Sequence, residues 1–191
     1  RFYLLASFIT VGVNFLTLPF FTKYLSLEDY GIIGLFLVFG NLITNLFSFG
    51  LNTAAYGLFF KLPLDEFRKL NFSILLFLSI LFCIIGLIVV FPFSEEIAIL
   101  FFNDQLNKEL IKLSFVNGCL TYFYGFYGQL LIAQKRSMAF SLLSIIQVSI
   151  NTSITFYLIL WNSLTFMAAI YGAVIANSIV LLIVLILNFF G

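Results

Sequence analysis

The side chains in this chain that could do chemistry are amides and hydroxyls set inside apolar runs. Asn41, Asn45 and Ser48 recur at i, i+4, i+7, and Gln147, Asn151 and Thr155 at i, i+4, i+8. On a helix each set falls on one face. "FVNGCLTYFYGFYGQLLIAQ", residues 115–134, adds Asn117, Thr121, Tyr124 and Gln129, with Tyr122 and Tyr127 supplying further hydroxyls. Asn14 and Thr17 stand near the start of the chain, Thr44 lies within the first set, and Asn52 follows it. Such groups can hydrogen-bond a hydrophilic cargo. They make poor acids, bases or metal ligands. Histidine is absent, and the carboxylates fall in expected loops or helix ends, so no metal-ligand set or cofactor motif is expected. Cys83 and Cys119 both sit in apolar stretches and fit neither a disulfide framework nor a metal-ligand spacing. The sequence therefore argues against an enzyme.

Composition says what holds these groups. Of 191 residues, 63% are hydrophobic and 9% charged, and the mean hydropathy is +1.17. A soluble fold of this length still exposes roughly a third of its unfolded surface, too much for so apolar a chain. The chain reads as a membrane protein. A net charge of +1 offers no basic face for nucleic acid. Its first apolar run is too long for a cleavable signal peptide, and a start at Arg1 with a finish at Gly191 reads as part of a longer protein.

A spanning helix needs about 20 apolar residues. Six stretches meet this, at 2–22, 31–59, 71–93, 111–133, 138–160 and 165–189. Strict apolar–polar alternation, the mark of a membrane barrel, is missing. The expected fold is an all-α membrane protein with six transmembrane helices in one bundle. Arg1, Lys61, Arg68, Lys69, Lys135 and Arg136 fall on one side, against Lys23, Lys108 and Lys112 on the other, which places the amino end in the cytoplasm. "SEEIAILFFNDQLNKELIKL", residues 94–113, carries Ile97, Leu100 and Phe101 at helical spacing. Either a short interfacial helix or extensions of its neighbours would explain it. The polar residues likewise allow two readings, hydrogen bonds between helices or a wet cavity lined by the first, second, fourth and fifth spans.

"LPFFTKYLSLEDYGIIGLF", residues 18–36, resembles the junction of the first two helices in the polysaccharide transporters of the multidrug/oligosaccharidyl-lipid/polysaccharide flippase superfamily. The matching residues are Lys23, Tyr24, Leu25, Ser26, Glu28 or Asp29, Tyr30 and Gly31. "FGLNTAAYGLFFKL", "AQKRSMAFSLLSIIQVSINTSITFYLIL" and "AAIYGAVIANSIVLLIVLI" are similar to later segments of the same proteins. The resemblance implies the amino-terminal half of a transporter of about 12 to 14 helices, whose other six-helix bundle is missing here. It implies a flippase for undecaprenyl-diphosphate-linked oligosaccharide, working by alternating access in the bacterial cytoplasmic membrane for surface polysaccharide such as O-antigen or capsule. Its implied partners are the lipid-linked oligosaccharide, membrane lipids, and a polysaccharide polymerase with other assembly proteins.

On that reading the substrate cavity takes Asn14, Thr17, Asn41, Thr44, Asn45, Asn52, Asn117, Thr121, Tyr124, Gln129, Gln147, Asn151 and Thr155. Lys61, Arg68 and Lys69 become candidate phosphate contacts at the cytoplasmic mouth. Ser26 or Asp29 is expected to cap the second helix. The arginine that this family often carries near "AAYGLFF" is absent, as is the carboxylate that the drug-exporting relatives often carry in the first helix. The alternatives are a cation-coupled drug or small-metabolite antiporter of the same superfamily, a membrane-embedded glycosyltransferase or ligase, and a channel-like bundle.

Overall fold

Unbroken runs of Leu, Ile, Phe and Val satisfy their backbone in lipid only as helices or closed barrels, and this chain chooses helices. The computed structural model describes residues 2–48, 50–102, 108–162 and 164–190, and among them every regular element is helical. The order is α1 (Phe2–Tyr24), α2 (Leu27–Ser48), α3 (Leu51–Phe59), α4 (Leu64–Ile85), a π-helical turn (Gly86–Val90), α5 (Ser94–Phe102), α6 (Lys108–Ala133), α7 (Ser137–Asn162) and α8 (Phe166–Phe190). Helices cover the expected stretches 2–22, 111–133 and 138–160 and all of 165–189 but its first residue, while α4 and the π turn cover most of 71–93. Four helical stretches among the described residues are long and apolar enough to cross a membrane: Leu27–Leu46, Lys69–Val90, Ser137–Trp161 and Phe166–Ile186. Six crossings were expected. The polar load of α6, with Lys108, Glu109, Lys112, Ser114, Asn117, Thr121 and Gln129, dilutes its apolar content.

The expected stretch 31–59 needs correcting at its start and in its interior. The helix starts at Leu27 because Ser26 and Asp29 form a capping box. The Asp29 N–H donates to Ser26 Oγ at 3.1 Å, and the Ser26 N–H and hydroxyl both donate to Asp29 Oδ2 at 2.8 Å. Both residues thus perform the capping expected of one or the other. Further on, Gly50 adopts φ 72, ψ 7, so α3 begins as a separate helix at Leu51. Only glycine enters that left-handed region without a steric cost.

The chain divides into two compact units. The first comprises residues 1–35 and 134–191, with α7 packed on both α1 and α8. Phe20 of α1 stacks obliquely on Phe156 of α7, with ring centroids 4.0 Å apart, and Phe21 meets the same ring edge-on at 5.9 Å. From α8, Gly172, Ala176, Val180 and Val184 form a buried i, i+4 ridge. Small residues at the head of that ridge let the helix backbones approach closely. Asp29 ties the corners at one end together: beyond its cap it lies within reach of the Thr165 side chain and the Phe166 backbone N–H. One carboxylate so serves the amino termini of both α2 and α8, where the helix dipole favours negative charge.

The second unit is residues 36–133. Its core gathers Ile43, Phe67, Leu78, Phe82, Phe115, Tyr122 and Phe126, with Ala55 of α3 and Ala98 of α5. Aromatic edges interlock there, Phe82 lying 5.6 Å from Tyr122 and 5.7 Å from Phe123 between ring centroids. α5 is a helix of its own, joined to α6 by an exposed ion pair from Lys108 Nζ to Glu95 Oε1 at 2.6 Å.

Candidate functional site

The expected cavity residues separate into groups with different surroundings. In the first unit, Gln147 Nε2 donates to Asn177 Oδ1 at 3.1 Å, linking α7 to α8. One turn on, the Thr155 hydroxyl faces Asn151 Oδ1 at 3.5 Å beside Gly172. A methyl group at Gly172 would overlap Thr155 Oγ1 and come within 2.9 Å of Asn151 Oδ1. The row Gln147–Asn151–Thr155 therefore lies against α8. Thr17 is buried as well and donates to the Asn14 carbonyl at 2.9 Å.

In the second unit, α2 crosses α6 at a pair of glycines. A Cβ added at Gly118 would stand 2.8 Å from the Gly40 carbonyl and 2.9 Å from Ile43 Cβ. At this crossing the Thr44 hydroxyl faces two carbonyls, of Gly40 and Gly118, each at 3.0 Å, so one proton serves both. Asn117 is buried next to it, with Nδ2 beside Gly40. Thr121 and Tyr124 are half-buried further along α6. These residues fit the reading in which polar groups join helices.

A third group behaves differently. Asn14, Asn41, Asn45 and Gln129 are exposed, and their side-chain amides have no hydrogen-bond partner among the described residues. Asn41 and Asn45 share one face of α2, as their spacing predicts, while Ser48 turns back to the Asn45 carbonyl at 2.9 Å. Exposed serines on α4 offer a contrast. Ser73 and Ser79 donate to the carbonyls of Lys69 and Leu75 at 3.0 and 2.8 Å. A serine that bonds its own preceding turn presents little polarity to lipid. An asparagine or glutamine amide has two donors and an acceptor to satisfy, and immersing one unpaired in hydrocarbon costs roughly 2–7 kcal/mol. The exposed amides thus select water or a polar ligand over acyl chains.

Lys61 and Lys69 are exposed around the turn from α3 into α4. The side chains of Asn52, Arg68 and Cys83 lie outside the described residues, as do residues 103–107 of the 94–113 stretch. No group of three His, Cys, Asp or Glu side chains converges among the described residues. Cys119 is half-buried and in no disulfide among the described residues.

Two features escaped the sequence reading. Asn177 belongs to the polar set of α7 and α8; an amide alone inside the apolar run 168–186 was the available signal. Ser114 and Tyr122 are fully buried in the second unit with hydroxyl oxygens that have no hydrogen-bond partner among the described residues. No spacing rule distinguishes such hydroxyls from paired ones.

Long apolar helices, close glycine-mediated crossings and hydrogen bonds between helices define a multi-pass helical membrane protein. The chain belongs to the polysaccharide biosynthesis protein family, whose model matches residues 2–191. Comparison with curated proteins and with solved structures gives no match.

Proposed function

We propose that the chain forms part of a flippase that carries undecaprenyl-diphosphate-linked oligosaccharide across the bacterial cytoplasmic membrane by alternating access, for surface polysaccharide assembly. Membership of the polysaccharide biosynthesis family supports the substrate class. The observation that carries the reading is the set of exposed amides without a partner among the described residues, Asn14, Asn41, Asn45 and Gln129. Sugars and diphosphate cannot enter hydrocarbon without replacement hydrogen bonds. Amides distributed along helix faces supply them, while the lipid tail stays in the bilayer.

The same reading has six crossings, an amino end in the cytoplasm, and a second six-helix bundle opposite this one. It makes the protein a transporter without catalytic residues. Gln147, Asn151, Thr155, Thr44 and Asn117 shape the lobe by joining helices, and Lys61, Arg68 and Lys69 meet the diphosphate at the cytoplasmic mouth. A polymerase on the far side would consume the delivered repeat unit.

The test is the level of lipid-linked oligosaccharide on the cytoplasmic face of cells lacking the full-length gene. Build-up relieved by an intact copy is the expected result. Unchanged intermediates would overturn the proposal and bring the antiporter reading forward.

A further inference from the structure

α7 ends in an aromatic pair that the transport reading leaves unused. Tyr157 and Trp161 lie one turn apart, with ring planes 18° from parallel and centroids 5.6 Å apart. Both are exposed, Tyr157 at 56% and Trp161 at 73%, and Leu160 between them at 50%. The rest of the first unit's aromatic cluster is packed differently, since Phe20, Phe21 and Phe156 engage one another across α1 and α7.

Helix length sets the depth of the pair. Ser137–Trp161 spans 25 residues, roughly 37 Å at about 1.5 Å per residue. The hydrocarbon core is only about 30 Å thick. With the cationic Lys135 and Arg136 just ahead of Ser137, at the opposite end of the helix, Trp161 falls beyond the acyl chains at its own end. The same end of the unit carries Lys23, whose Nζ lies 5.5 Å from the Tyr24 ring centroid, and the Ser26–Asp29 cap.

Chemistry narrows the environment further. An indole N–H and a phenol each need a hydrogen-bond partner when taken out of water, and neither has one among the described residues. Hydrocarbon offers none, whereas bulk water would leave two large apolar rings and Leu160 fully wetted. The headgroup layer accommodates both demands, and Tyr and Trp concentrate there. The exposed apolar side chains Met138, Leu142 and Ile146 line the same helix toward its other end, so the pair continues a lipid-contacting surface. A carbohydrate platform would need several hydrogen-bonding side chains beside the rings, and one turn before the pair Ser153 supplies a single exposed hydroxyl, with Ile154 and Leu158 the other near neighbours along the helix.

We infer that the stacked Tyr157–Trp161 pair is a lipid-headgroup anchor, fixing the depth of α7 at the membrane–water interface. Trp161 is the one tryptophan of this sequence. In the full-length protein reconstituted into phosphatidylcholine vesicles, the difference in fluorescence between the wild type and Trp161→Phe isolates its signal. Trp161→Tyr serves as the reference should Trp161→Phe fail to accumulate. Lipids brominated near the glycerol end of the acyl chain should quench that signal roughly twofold more than lipids brominated near the chain terminus, with weak quenching by aqueous iodide. Equal or stronger quenching from the chain terminus would overturn the inference, as would strong iodide quenching without lipid quenching. A signal insensitive to both lipids and shifted by added oligosaccharide would also overturn it and make the pair a sugar platform.

Discussion

The Gln147 amide donates to Asn177 Oδ1 across α7 and α8, so a side chain that reads in sequence as cavity lining is engaged in helix packing. Asn41 and Asn45, alike in type and spacing, are exposed without such a partner among the described residues. The two situations predict opposite mutational behaviour. Gln147→Leu removes a hydrogen bond to the buried Asn177 Oδ1 and should lower stability by about 1–2 kcal/mol. Asn41→Leu and Asn45→Leu should leave stability in detergent unchanged while abolishing surface polysaccharide, read by thermal unfolding and by glycan staining.

Gly172 is the point of closest approach on α8. Gly172→Ala should cost about 1–3 kcal/mol by overpacking against Thr155 and Asn151. Gly125, which has no atom within 4 Å of an added Cβ, provides the control. Gly125→Ala should be neutral or stabilising by up to about 1 kcal/mol. Unfolding of the two variants side by side checks the contrast.

The crossing of α2 and α6 is asymmetric. An alanine at Gly118 meets backbone at 2.8 Å, whereas one at Gly40 meets its nearest atom at 3.5 Å. Gly118→Ala should therefore reduce folded yield sharply and Gly40→Ala should not. Thr44→Val, which removes the hydroxyl facing the Gly118 carbonyl, should cost about 0.6–2 kcal/mol.

Lys108 holds the Glu95 carboxyl below its ordinary value of 4.5 by a hydrogen bond and by charge, and Glu95 raises the Lys108 ammonium above 10.5 in the same way. The lowered carboxyl contributes above pH 4.5 and is lost as pH falls through its folded value. The raised ammonium contributes below pH 10.5 and is lost as pH rises through its folded value. Between these limits the contact joining α5 to α6 is flat with pH. Amide exchange in α5 should rise outside them, and Glu95→Gln should remove the acid limb.

Much of this was legible in sequence because lipid leaves the backbone few options: apolar run length alone located α1, α6, α7 and α8. The break at Gly50 was not, since a glycine within an apolar helix is ordinary in membranes and only its left-handed φ reveals the turn. The capping box was visible as Ser26 and Asp29 three residues apart; its further reach to Thr165 and Phe166 depends on tertiary packing. Polarity found the amides of α2 and α7 equally well. It could not tell the paired Gln147 from the unpaired Asn45, because that depends on which neighbouring helix carries an Asn177.

The most direct test of the central claim is accessibility. Single cysteines at Asn14, Asn41 and Asn45, in full-length protein with Cys83 and Cys119 changed to alanine, should react in membranes with a water-soluble, membrane-impermeant maleimide. A cysteine at Ser79, on the back-bonded face of α4, should not. Reaction at the asparagine positions, slowed by lipid-linked oligosaccharide, is the predicted result. Asparagine positions as unreactive as Ser79 would place those amides in lipid and contradict wet, substrate-holding helix faces.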